Sequence, residues 1–153
     1  MTEDRYEVTV RREIAAPAEE LFDAWLDAES LGTWMMPTGI NETRAETDPR
    51  EGGGFRITMV RDDSSTLLHT GTYREIDRPR RLVFTWSSPA TQFRDSIVTV
   101  TFRSSSSATV VEIRQVGLPD EEAQAGHREG WSDALRELER TAQRRATRDE
   151  GSY

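Results

Sequence analysis

The chain of 153 residues contains no cysteine, and that one absence excludes disulfides, thiolate metal sites and thiol nucleophiles. It also has no lysine, so all 20 basic side chains are arginines, an imbalance that carries no functional conclusion. No apolar run approaches the roughly 18 residues of a membrane span, and the opening MTEDRYEV has no apolar targeting core, so the expected location is the cytoplasm. Positive charge is scarce as well. With 28 acidic residues and a net charge of -8, phosphate backbones and anionic membranes are poor partners. Histidine occurs only at His69 and His127, too far from any ligand set for a zinc site, so neither a metal nor a cofactor is expected. There is no nucleophile elbow, and Gly52-Gly53-Gly54 lacks the lysine and helix of a phosphate loop. Those glycines read as a turn or bulge with positive backbone angles, beside a local Asp48–Arg50 ion pair. Asn41-Glu42-Thr43 matches the glycosylation pattern and is read as a chance match.

What is present is periodicity. The length suits one domain over 1–153, with an ordered core of about 5–146 and a frayed tail over 147–153. Tyr6, Val8, Val10 and Ile14 alternate with polar residues, predicting a half-buried strand; Arg12 falls on the apolar parity, so either the strand ends early there or that side chain has a partner. Pro17 opens a helix carrying Leu21, Phe22, Trp25 and Leu26 on one face, and a second short helical turn precedes an apolar loop around Trp34, Met35 and Met36. From residue 40 to 116 the pattern is one of strands joined by short polar turns, clearest over Leu82, Phe84 and Trp86, which predicts an antiparallel meander. The stretch from Pro119 to about Arg145 is a long amphipathic helix. Ala123, His127, Trp131, Leu135 and Leu138 recur at three and four, with Asp120, Glu121 and Glu122 in the first turn and arginines at the far end. A curved sheet wrapped around that helix buries both apolar faces at once, giving an α+β fold.

Several pieces in order resemble a known family. They are Ala16-Pro17-Ala18-Glu19-Glu20-Leu21-Phe22-Asp23-Ala24-Trp25, Leu31-Gly32-Thr33-Trp34, Asp48-Pro49-Arg50-Glu51-Gly52-Gly53, the run Arg80 to Trp86, and Gly117-Leu118-Pro119 leading to His127-Arg128-Glu129-Gly130-Trp131. Together they resemble the START-like, helix-grip (SRPBCC) superfamily, and within it bacterial homologues of the activator of the ninety-kilodalton heat-shock protein ATPase. The resemblance implies a seven-stranded curved antiparallel sheet gripping the C-terminal helix, two short helices after the first strand, and an internal cavity. It leaves the contents open, since relatives include lipid binders, polyketide cyclases and co-chaperone domains.

The inward parities nominate Phe55, Ile57, Met59, Leu82, Phe84, Trp86, Val98, Val100, Trp131 and Leu135 as cavity lining, with Trp34, Met35 and Met36 as its cap. The same periodicity describes a filled core. His127, on the gripped face, is the candidate catalytic residue, although a bond to a strand or loop group that only fixes the helix is the better reading of it. His69 shares parity with Gly71 and Tyr73 and is read as lying on the outer face. Gly130, in mid-helix, suggests a close approach to a strand or the cap. The functional expectation is a binding protein for a small hydrophobic or aromatic molecule. The alternatives are a cyclase-like or hydrolase-like enzyme using His127 with a nearby acid and Tyr73 or Arg74, and an interaction domain in contact with a chaperone, carried by the resemblance alone.

Overall fold

A computed structural model describes residues 6–150. Strand β1 (Tyr6–Ile14) is followed by helices α1 (Ala18–Ala24) and α2 (Ala28–Trp34). Six strands come next: β2 (Ile40–Thr47), β3 (Gly54–Arg61), β4 (Thr66–Asp77), β5 (Arg81–Trp86), β6 (Ser96–Ser105) and β7 (Ala108–Leu118). Helix α3 (Glu121–Glu150) completes the chain. The strands form one antiparallel sheet in the order β1-β7-β6-β5-β4-β3-β2, so β2 to β7 run as a meander and β1 returns to pair with β7. The two edge strands are bridged by α1 and α2, and α3 packs against β1, β7 and α2 across the concave face. This is the helix-grip architecture that the periodicity and the resemblance predict.

Local chemistry explains each element. Val8 and Ile14 of β1 are buried between exposed neighbours, the period of a strand with one wet face. Arg12 does not end the strand: its Nε and Nη2 donate to Glu139 Oε1 of α3 at 3.0 and 2.7 Å. Helix α1 starts after extended Pro17 and buries Leu21 and Phe22, while the Asp27 carboxylate caps α2 by accepting from Ser30 N at 3.0 Å. In α3, Asp120 accepts from Ala123 N at 2.8 Å, so the first helical turn begins two residues after Pro119. Ala123, Trp131, Ala134, Leu135, Leu138 and Ala142 are its buried stripe. The helix runs to Glu150, past the expected end near Arg145, and the last residues of the expected tail, 151–153, lie outside the described residues. No helix of the described residues is long and apolar enough to cross a membrane.

One expectation is overturned in β4. His69 is 8% exposed and faces the concave side, not the outer one. Its parity, with Leu67, Gly71 and Tyr73, is the inward parity, because Phe55 of β3 stands opposite Gly71 and Ile57 opposite His69. A Cβ on Gly71 would collide with the Phe55 ring. The glycine therefore marks a place where a neighbouring aromatic covers the strand, not an outward polar face. In the β2–β3 turn the positive angle falls on Gly52, φ 88°, while Gly53 lies against the Asp48 carbonyl.

Candidate functional site

The grip is filled at one end. Trp25 packs on Trp34 with ring centroids 4.8 Å apart, and Phe55 on Phe84 at 5.5 Å, both in edge-to-face geometry. Tyr73 joins them 5.4 Å from Phe55, and burial pushes its hydroxyl pKa up. A void of about 10 Å³ remains here, bounded by Trp25, Leu31, Met35, Phe55, Ile57, Tyr73, Phe84 and Trp86, room for about one water.

Toward the other end the same sheet and helix part around a cleft of about 770 Å³. One wall is the face of α3 carrying Ala123, Gly126, His127, Gly130, Trp131 and Asp133. The opposite wall comes from β3, β4 and β5 through Met59, Leu67, His69 and Trp86. Met35, the segment from Pro37 to Ile40 and the turn around Pro89, Ala90 and Gln92 form the mouth, with Arg61, Asp120, Glu122 and Glu129 on the rim.

Of the expected lining residues, Met35, Met59, Trp86, His127 and Trp131 are on this wall. The others are elsewhere. Trp34 is fully buried, its Nε1 donating to Ala24 O at 3.1 Å, and Met36 is half-buried away from the cleft. Phe55, Ile57 and Phe84 border only the small void, while Leu82, Val98, Val100 and Leu135 are core. Of the two expected helpers of His127, Tyr73 lies in the filled end and Arg74 is exposed, and neither borders the cleft. Sequence reasoning missed His69, Leu67, Ile40 and the acidic rim. It also misread Gly130: a Cβ there, or at Gly126, would meet nothing within 4 Å. These glycines hold space open rather than admit a close neighbour. Their spacing of four within a helix, on the side of His127, is the signal that could have found the cleft.

Buried hydrogen bonds set the two walls. Trp131 Nε1 donates to Gln115 Oε1 at 2.7 Å, Gln115 Nε2 donates to Ser96 Oγ at 2.8 Å, and Ser96 Oγ donates to Trp86 O at 2.8 Å. The chain runs from the helix through β7 and β6 to β5, and holds the Trp86 and Trp131 rings 5.0 Å apart. At the mouth, Thr38 N donates to Asp133 Oδ2 at 3.1 Å and Thr43 Oγ1 to Met35 O at 2.8 Å.

Both histidines are held by backbone carbonyls, and among the described residues His127 keeps one nitrogen without a partner. His127 Nδ1 lies 2.7 Å from Ala123 O; a carbonyl can only accept, so Nδ1 carries the proton and Nε2 is an acceptor. Burial lowers its pKa. The His69 ring sits 4.9 Å from that of Trp86, with Nδ1 3.4 Å from Ile57 O. Burial lowers its pKa to about 4, and His127 acts in the same direction. At neutral pH the cleft therefore holds two uncharged imidazoles, able to accept a hydrogen bond or a proton. Among the described residues no group of three or more histidines and carboxylates could hold a metal ion.

Residues 15–143 match the profile of the family described as Activator of Hsp90 ATPase homolog 1-like protein. No functionally curated protein matches the chain. Among solved structures, protein CV1439 from Chromobacterium violaceum superposes with a TM-score of 0.79 at 24% identity, over 90% of this chain and 96% of that one. NE0264 from Nitrosomonas europaea gives 0.79 at 20% identity, over 93% and 97%. The AHSA1 protein SPO3351 from Silicibacter pomeroyi gives 0.73 at 23% identity, over 88% and 96%. At these identities the likeness is one of fold.

Proposed function

Since the chain belongs to the Activator of Hsp90 ATPase homolog 1-like family and keeps a cleft open between sheet and helix, we propose that it is a binding protein whose cleft takes up a small apolar or aromatic molecule. The observation that carries this reading is the cleft itself. Its 770 Å³ lie within the range of small-molecule sites, and Met35, Met59, Leu67, Trp86 and Trp131 line it with apolar surface. Methionine adapts its shape to a guest, and two indoles held by a buried hydrogen-bond chain offer fixed flat walls. Native mass spectrometry and chemical-shift titration with a library of hydrophobic compounds test the reading. Binders should shift the methyls of Met35 and Met59 and the indole of Trp131, and a library that yields no binder overturns it.

A second reading, acid–base chemistry at His127, is favoured by the free Nε2 on the cleft wall. It ranks below binding because Tyr73 and Arg74 do not border the cleft. It requires His127→Ala to fold normally and lose a turnover, and retained turnover in that variant excludes it.

A further inference from the structure

Resting on the binding reading, we propose that the molecule this cleft accepts is cationic: an apolar, aromatic body carrying a protonated amine. The polar groups that border the cleft are mostly acceptors. Four carboxylates, Asp120, Glu122, Glu129 and Asp133, belong to α3 or its cap, against one guanidinium, Arg61, exposed at the end of β3. Two of the four already serve the fold, Asp120 as the helix cap and Asp133 as the acceptor of Thr38 N. Glu122 and Glu129 do not: both are exposed and make no ion pair or hydrogen bond among the described residues. Seven residues apart, they share a helix face about 10 Å from one another on either side of Gly126, where the wall lacks side chains.

A second observation, independent of the rim, comes from inside. His127 borders the cleft with its Nδ1 held by Ala123 O, which leaves Nε2 an acceptor with no hydrogen bond among the described residues. A nitrogen acceptor on the cleft wall takes a donor brought in by the guest. Of the donors that border the cleft, Trp86 Nε1 is buried away from its surface, and the Arg61 guanidinium and Gln92 amide are exposed at the mouth. The faces of Trp86 and Trp131 add the quadrupole attraction that indoles exert on organic ammonium groups. An anionic guest such as a fatty acid would instead meet four carboxylates against one guanidinium at the mouth and the His127 acceptor inside.

The test compares three probes of one shape: 2-(1-naphthyl)ethylamine, 1-ethylnaphthalene and 1-naphthylacetic acid, titrated against the full chain by tryptophan fluorescence and calorimetry at pH 7.5 in low and high salt. The amine should bind at least about tenfold more tightly than the acid and more tightly than the hydrocarbon, with the margin shrinking as salt rises. In Glu122→Gln/Glu129→Gln, whose side chains are exposed and unpaired, the amine should lose several-fold in affinity and the hydrocarbon should be unaffected. On binding the amine, the Nε2 resonance of His127 should move toward that of a hydrogen-bonded acceptor. If the hydrocarbon or the acid binds as well as the amine, the charge assignment fails while the binding reading stands. If none of the three binds, both fail.

Discussion

Replacing Gly130 separates stability from function in a way that tests the helix face directly. A glycine in a helix interior costs about 0.8–1 kcal/mol relative to alanine, and Gly130 and Gly126 both lie inside α3. Neither has a positive φ, and an added Cβ at either would meet no atom within 4 Å. Nothing therefore opposes the gain in backbone order. Gly130→Ala should raise the unfolding free energy by about 1 kcal/mol and Tm by roughly 2–4 °C, and Gly126→Ala should do the same. Gly130→Leu makes the same backbone change and extends a side chain into the cleft. It should be at least as stable as the parent, yet lose more than about tenfold in affinity for any cleft ligand. Urea melts read by circular dichroism give the first quantity, and ligand titration gives the second. A destabilised Gly130→Ala would mean that the position packs against a neighbour and that the face assigned to the cleft is wrong. Unchanged binding by Gly130→Leu would place the ligand elsewhere. The combination of higher stability and lost binding is the signature of residues kept small for the sake of a guest.

Three further outcomes follow from other contacts. Trp131→Phe leaves the Gln115 Oε1 acceptor buried without its donor and should cost about 1–3 kcal/mol in a urea melt; an unchanged midpoint would show that the hydrogen-bond chain does not hold the wall. His69, with its folded pKa lowered from 6.5 to about 4, binds its proton more readily when unfolded. The stability this confers is complete above about pH 6.5 and is lost as pH falls toward 4, amounting to roughly 3 kcal/mol. A His69 ring resonance that titrates near 6.5 by NMR would contradict the burial. The Arg12–Glu139 pair is partly exposed, so a double-mutant cycle should return no more than about 1 kcal/mol, diminishing with salt.

The fold was legible because periodicity reports faces. Alternation over Leu82, Phe84 and Trp86 marks one inward parity, the three- and four-residue recurrence through Trp131, Leu135 and Leu138 marks one stripe, and only a sheet curved around the helix buries both. Even Arg12 announced its need of a partner by sitting on the wrong parity, and Glu139 supplies it. Depth along an element is another matter. Met59 and Phe55 share a strand and a parity, but Met59 lines the cleft and Phe55 lies in the filled end. That difference is set by what packs opposite, where Trp25, Tyr73 and Phe84 crowd one end and leave the other empty. The His69 reading failed on the same ground, since His-Gly-Tyr spaced by two looks polar until the register sets the Phe55 ring over Gly71.

Gly130 carries the most instructive ambiguity. A helix interior that tolerates glycine does so either because a neighbour comes too close for a Cβ or because a Cβ would occupy room that is needed, and the sequence looks the same in both cases. Gly71 is the first kind and Gly130 the second. The company each glycine keeps decides between them. Gly71 faces an aromatic ring across a strand pair, whereas Gly126 and Gly130 recur four apart beside His127, with Glu122 and Glu129 on the same helix. Side chains that leave room, accept protons and carry negative charge are grouped on the part of α3 that borders the cleft. A helix selected only to be gripped would spend that stretch on leucine and alanine, so the composition of this short stretch, more than the fold around it, argues that the open end is there to be filled by a guest.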